Sequence, residues 1–304
     1  RPVFISNPWW YCSGSSESPV LWFPQPFRSN SNSHYPQSFE YSTLGGWIAT
    51  RSSGQQSRHY GRIEQLFAGG EISTFKGRLR LPPFPASAAG PDIRQLVLGS
   101  EGRMGILTRA IVRISPLPDV HDIHGVFFPD WNHARQAVQT LAQSQIPLSM
   151  VRLSNPQETR ANLALAGQEQ QIKWLKRYLQ LRGIDPNPAC MCLIGYIGSR
   201  KQARGAKGEA GSIIGRFKGI TVGKRIGNAW KKNRFRSAYL RNTIWDLGYA
   251  VDTLETAVNW DKVTDTMVRI ENGLEQALSE SRKSERALST ALSEVERLKA
   301  QIEE

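Results

Sequence analysis

The sequence predicts an α+β fold, and three observations carry that expectation. Residues 34–118 are rich in glycine, serine and proline turns separated by short apolar runs. From about residue 121 the pattern changes to strands alternating with amphipathic helices. The last 26 residues change again, to a charged stretch with leucines spaced by three or four. At 304 residues and 39% hydrophobic content, the chain is long enough for about two domains with buried cores. The organisation expected is an irregular segment 1–33, a turn-rich domain 34–120, an α+β domain 121–278 and a helical tail 279–304.

Residues 1–33 are dominated by Ser, Pro and Asn, with Trp9, Trp10 and Trp22 lacking any period, and no element is expected there. In the next segment, Asp92 after Pro91 is a candidate N-cap, with Ile93, Leu96 and Val97 as an apolar stripe and Gly99 as the stop. Ile106 to Ile114 alternates as a strand, with Thr108, Ala110, Val112 and Ile114 on one face. Pro116 and Pro118 mark the boundary.

His124–Phe128 reads as a strand, and Asp130 as the cap of a helix burying Ala134, Val138 and Leu141. Leu148–Leu153 reads as a strand on which Ser149, Val151 and Leu153 share a face. One long helix is expected next, with Leu163, Ile172, Leu175 and Leu179 inward and Gly183 as its end. A strand at Cys190–Ile197, a helix over 200–217 and a strand at Ile220–Val222 complete a βαβ-like unit. Further helices are expected over Leu240–Leu247 and Asp261–Leu278. In the tail, Leu288, Leu292, Val295, Leu298 and Ile302 form a stripe that suits self-association as a coiled coil or a solvated helix equally.

The net charge is +13, and residues 200–241 alone hold 13 Lys/Arg against one acid, Glu209. No nucleic-acid-binding signature accompanies this segment, so a solvated face or a surface for acidic and phosphorylated ligands is the reading preferred to nucleic acid. Cys190 and Cys192 alternate on a strand with no further metal ligands at suitable spacing, which favours buried strand thiols over a metal site. No apolar run approaches the ~20 residues of a membrane span. With no signal pattern at the N-terminus, a soluble cytoplasmic protein is the expectation.

The segments richest in chemistry are Phe39-Glu40-Tyr41-Ser42-Thr43-Leu44-Gly45-Gly46-Trp47-Ile48-Ala49-Thr50-Arg51-Ser52 and Gly99-Ser100-Glu101-Gly102-Arg103-Met104-Gly105. Glycines and small residues in such turns let a backbone approach a ligand closely and present N–H groups to phosphate oxygens. Taken alone, Glu40, Thr43, Gly45 and Gly46 also fit an ordinary tight turn. Together the segments resemble the FAD domain of the vanillyl-alcohol-oxidase/p-cresol-methylhydroxylase (PCMH-type) FAD-linked oxidases. The likeness is greatest to the branch that holds alkyldihydroxyacetonephosphate synthases and their bacterial relatives. It runs from His34 to Leu278.

This resemblance implies the C-terminal part of a PCMH-type FAD-binding domain followed by a cap domain, with FAD as cofactor. It implies cofactor contacts from Pro36, Gln37, Ser38, Phe39, Glu40, Tyr41 and Ser42, then Ala49, Thr50, Arg51 and Ser52, then Gly99, Ser100, Glu101, Gly102, Arg103, Met104 and Gly105. Within Val151-Arg152-Leu153 it makes Arg152 a candidate for an anionic substrate group, beside the plainer reading of a structural ion pair. The implied chemistry is flavin-dependent, on a 2-hydroxy acid or an acylated glycerone phosphate. The alternative is a non-catalytic interaction protein that uses residues 200–241 and the tail.

The family's Gly-rich pyrophosphate loop lies upstream of the Phe39 run, and residues 1–33 offer one glycine, Gly14. Its substrate-binding arginine, catalytic tyrosine and histidine-rich segment have no counterpart after Leu278; the last of the five histidines is His133. A fragment, frameshift or fusion product is therefore expected, with no complete active site and no catalytic residue assigned.

Overall fold

The computed structural model describes residues 30–31, 34, 36, 39–84, 88–165, 169–235, 245–246, 248 and 255–281. The chain divides into two compact units, Arg1–Ala250 and Val251–Glu304.

The described elements of the first unit start with β1 (Asn30–Ser31), a 3-10 turn at Phe39–Tyr41, and the short helices α1 (Leu44–Ala49), α2 (Ser57–Tyr60) and α3 (Ile63–Leu66). Strands β2 (Phe67–Thr74) and β3 (Gly77–Leu81), the one-turn helix α4 (Arg94–Val97) and β4 (Ile106–Val112) follow. The antiparallel sheet order is β3-β2-β4, and β5 (Ser115–Pro116) pairs separately with β1. Its core is Trp47, Ile48, Ile63, Leu66, Phe67, Ile72, Leu81, Val97, Leu98 and Ala110.

Two sequence expectations change here. The strand ends at Val112, and its faces do not alternate as expected: Glu71 pairs with Arg109 but Ile72 pairs with Leu107. Thr108 is thus an extra residue, a β-bulge, and its hydroxyl donates to the Glu71 carbonyl at 3.1 Å. The slip turns both Leu107 and Ala110 towards the core and leaves Ile106 and Thr108 outside. Around α4 the cap position is Ile93, not Asp92, although Asp92 Oδ1 accepts the Arg94 N–H (3.0 Å), and the helix is only one turn long. One turn presents one residue inward, so Val97 is buried while Ile93 and Leu96 are exposed.

The second layered part contains β6 (Val120–Phe128), α5 (Trp131–Gln143), β7 (Leu148–Leu153), α6 (Pro156–Leu165), α7 (Glu169–Leu181), β8 (Cys190–Gly198), α8 (Arg200–Arg216), β9 (Ile220–Gly223) and α9 (Lys224–Asn233). Local sequence explains the starts. Asp130 Oδ1 accepts the His133 N–H (2.9 Å) to cap α5. Ser199 and Gln202 cap α8 reciprocally, at 3.3 and 2.9 Å. Gly183, at φ 81°, ends α7, with the Ile184 N–H returning to the Leu179 carbonyl.

The sheet order is β7-β8-β6-β9, with every neighbouring pair antiparallel. The βαβ-like expectation is corrected accordingly. β6 and β7 run parallel but flank β8, and β8 and β9 flank β6, which is the split βαβ arrangement. The expected long helix is described as α6, carrying Leu163, and α7, carrying Ile172, Leu175 and Leu179, with residues 166–168 outside the described residues. On β7 a slip at Ser149 puts Leu148, not Ser149, on the face of Val151 and Leu153.

Both faces of this sheet are covered. α5 and α8 press Ala134, Ala137, Leu141, Ala203, Ala206, Ala210 and Ile214 onto Val126, Phe128, Cys190, Cys192 and Ile194. On the other face α7 and α9 cover Ile123, Phe127, Met191 and Leu193. Cys190 and Cys192 are buried on one face as expected, and burial pushes both thiols up to about 12. No group of three or more potential metal ligands occurs among the described residues.

In the second unit, residues 263–281 are helical, with Arg269 paired to Asp265 at 3.0 Å. Most of Leu240–Leu247 and of the tail 279–304 lies outside the described residues. Among the described residues no helix is long and apolar enough to cross a membrane.

Candidate flavin site

The Phe39 segment is held by its own small polar residues. The Thr43 hydroxyl accepts the Gly46 N–H at 3.0 Å and so caps α1. The Trp47 indole N–H donates to the Ser42 hydroxyl at 2.6 Å, and the Ser52 N–H returns to the Trp47 carbonyl at 2.9 Å. Trp47 and Ile48 are buried, so the turn is anchored in the core while Glu40 and Tyr41 stay exposed.

The Gly99–Gly105 loop is brought against this segment by main-chain bonds. The Gly99 N–H donates to Ile48 O (3.2 Å), and the Glu101 N–H to Ala49 O (3.0 Å). The Arg51 guanidinium reaches the Gln95 amide oxygen at 3.2 Å. Gly99 sits at φ 74°, and a Cβ there would lie 2.9 Å from Arg51 Nε. Gly105, at φ 123°, passes so close to the Ser73 carbonyl that a Cβ would collide with it. Gly102, at φ 85°, faces open space. The first and third glycines of the loop therefore serve its own closure, while the second leaves the approach to the surface clear.

Three further loop N–H groups bond nearby carbonyls: Ser100 to Val97, Arg103 to Ser100 and Gly105 to Gly102. Those of Gly45, Gly102 and Met104 have no backbone acceptor among the described residues. The surface thus combines clear approach with uncommitted main-chain donors, which fits a ligand rich in carbonyl and phosphate oxygens.

Of the candidate residues, Phe39–Ser42, Ala49–Ser52 and Gly99–Gly105 share this region, joined by the bonds just described. Pro36 is buried, and Gln37 and Ser38 lie outside the described residues. Arg152 is elsewhere, on β7, where its guanidinium meets Glu158 at 3.1 Å with both side chains partly exposed.

Residue reasoning missed His34 and the junction with the second sheet. His34 is buried, its Nε2 lies 3.2 Å from the Ser52 hydroxyl, and its ring packs on Trp47 at 5.3 Å. Burial lowers its pKa to about 4 although Glu64 pulls the other way, so the imidazole is neutral at pH 7. At the junction, the Gln56 amide meets His121 Nε2 at 2.6 Å, and Arg58 donates to the Leu141 carbonyl at 2.9 Å. The Phe39 ring lies 4.7 Å from that of Phe235. Residues so far apart in sequence leave no spacing signal for any of these contacts.

A family model described as FAD linked oxidases, C-terminal domain, matches residues 117–280. The chain belongs to the FAD-linked oxidases. FAD is the cofactor of that family. Alkyldihydroxyacetonephosphate synthase of Dictyostelium discoideum is 34% identical over 233 residues, covering 75% of this chain and 38% of the relative. The synthase of Trypanosoma brucei brucei is 28% identical over 257 residues, covering 83% and 42%. Two solved structures of alkyldihydroxyacetonephosphate synthase align with TM-scores of 0.74 and 0.69, at 30% and 31% identity. They cover 84% and 79% of this chain and 47% and 44% of theirs. The chain thus spans about two fifths of the length of these curated relatives. It resembles an alkylglycerone-phosphate synthase within the family.

Proposed function

We propose that residues 34–120 form one wall of an FAD site and residues 121–278 a cap over the substrate, in a flavin-dependent enzyme. The carrying observation is the bonding of Gly99 and Glu101 to the carbonyls of Ile48 and Ala49, which makes one surface from segments about fifty residues apart. The Phe39–Ser42, Ala49–Ser52 and Gly99–Gly105 stretches hold and orient the flavin, which supplies the redox or adduct chemistry when bound. The substrate is an acylated glycerone phosphate or a 2-hydroxy acid, the former favoured by the resemblance to the synthases. Arg152 serves an anionic substrate group only if it leaves Glu158.

The test is the visible spectrum after dialysis against FAD. The wild-type chain retains the flavin bands, and Ser100→Trp, at the loop surface, loses them with its far-UV circular dichroism unchanged. A colourless wild type, or full retention by Ser100→Trp, overturns the assignment.

A further inference from the structure

The two sheets of the first unit have separate cores: among the described residues, no buried cluster contains side chains of both. Two bonds that join the sheets pass through one stretch, residues 52–63. That stretch leaves the candidate flavin segment and returns to it. The Ile63 N–H donates to the Ser52 carbonyl at 3.3 Å, and the Arg62 guanidinium to the Arg51 carbonyl at 3.0 Å. At its far end the Ser57 hydroxyl accepts the Gly54 N–H at 2.8 Å, which closes the turn into α2, and α2 lies beside β7.

Two side chains of the far end hold the other sheet. Gln56 is 2% exposed, and its amide lies 2.6 Å from His121 Nε2. Burial above all lowers the pKa of His121 to about 4, so the ring is neutral at pH 7 and Nε2 accepts the amide N–H. A buried amide stripped of its partner is costly, so this bond holds more firmly than an exposed one. Arg58 donates to the Leu141 carbonyl at 2.9 Å. Leu141 is in the last turn of α5, where carbonyls lack a partner in the helix backbone and the helix dipole favours a cation.

We propose that residues 52–63 are a strap that couples the candidate flavin wall to the β7-β8-β6-β9 sheet, with Gln56 as the positioning residue and Arg58 as the second anchor. The strap is narrow and its base is the Ala49–Ser52 segment. Loosening either end therefore releases the other, and a ligand that steadies one sheet steadies the other. The ligand part rests on the flavin reading above; the strap itself does not.

The test is hydrogen exchange of the full chain, resolved by peptide. Gln56→Ala speeds exchange at 119–124, on the other sheet, by roughly tenfold, and His121→Ala does the same at 49–63. Arg58→Met, at an exposed residue, speeds exchange at 141–146. Glu158→Gln, elsewhere on the second layered part, leaves 49–63 unchanged. In a His121→Ala background, Gln56→Ala adds less than about twofold, because the two residues act as one contact. Exchange that changes only within the mutated segment, or effects of Gln56→Ala and His121→Ala that multiply, overturns the proposal. Should either of those variants not fold, the response of 141–146 to Arg58→Met decides. With FAD, protection reaches 119–124 in the wild type and stops at the strap in Gln56→Ala; equal protection in both overturns the coupling. A colourless wild type refutes the flavin wall alone, because exchange without flavin still decides the strap.

Discussion

The two sheets of the first unit are built to different standards of burial. The β7-β8-β6-β9 sheet is covered on both faces, and the exposed large apolar side chains described within 120–235 are confined to Trp174, Tyr178 and Leu181 on α7. The β3-β2-β4 sheet has a smaller core, and around it Phe75, Phe84, Ile93, Leu96, Met104 and Ile106 are exposed. The candidate flavin loops belong to this less buried sheet. Ligand-binding surfaces need backbone close to solvent, and that same exposure leaves fewer buried contacts to resist local opening. The β7-β8-β6-β9 sheet is thus expected to resist local opening more than the loop-bearing sheet.

The largest expected effect breaks the rigid half. Phe128, fully buried on β6, is the test residue, and Phe128→Ala costs about 3–5 kcal/mol of unfolding free energy, read from urea midpoints. A cost under about 1 kcal/mol, the range of a surface substitution, contradicts the claim that this core carries the unit. Gly227→Val comes next. Its side chain meets the Ile123 carbonyl and costs about 1–3 kcal/mol, and hydrogen exchange then rises in α9 and β6 but not in β2 or β4.

Acid sharpens the contrast at the junction. His34 and His121 titrate near 4 in the fold against 6.5 unfolded, so the unfolded chain binds more protons between those values. Their contribution to stability is complete above pH 6.5 and is lost as the pH falls through 6.5 to about 4. Replacing His121 by Gln flattens part of that slope, and an unchanged slope means that its burial is not felt. Thr43→Ala removes the cap of α1 at a cost of about 1 kcal/mol, and faster proteolysis is confined to residues 39–52. The smallest effect is at Arg152–Glu158: Glu158→Gln changes stability by no more than about 1 kcal/mol, because both side chains are partly in water.

The candidate flavin wall was half legible. Its glycines, Thr43 and the Asp92–Arg94 contact act within a few residues of themselves, so sequence spacing carries them. Sheet interiors were legible to the extent that alternation holds. It fails at Thr108 and Ser149, where one inserted residue changes the face, a choice made by the partner strand and not by the strand itself. His34, Gln56 and His121 gave no signal, because their partners are distant in the chain.

By itself, the sequence determined the class of fold, the starts of α5 and α8, the end of α7, the burial of Cys190 and Cys192 and the family. All of these rest on short-range periodicity, on caps or on motifs carried in order. Only the tertiary structure decided the split antiparallel sheet, the bulges, the union of the Ala49 and Gly99 segments and the Gln56–His121 contact. Each of those depends on which distant groups can satisfy one another's hydrogen bonds or bury one another's surface, and local spacing does not record that.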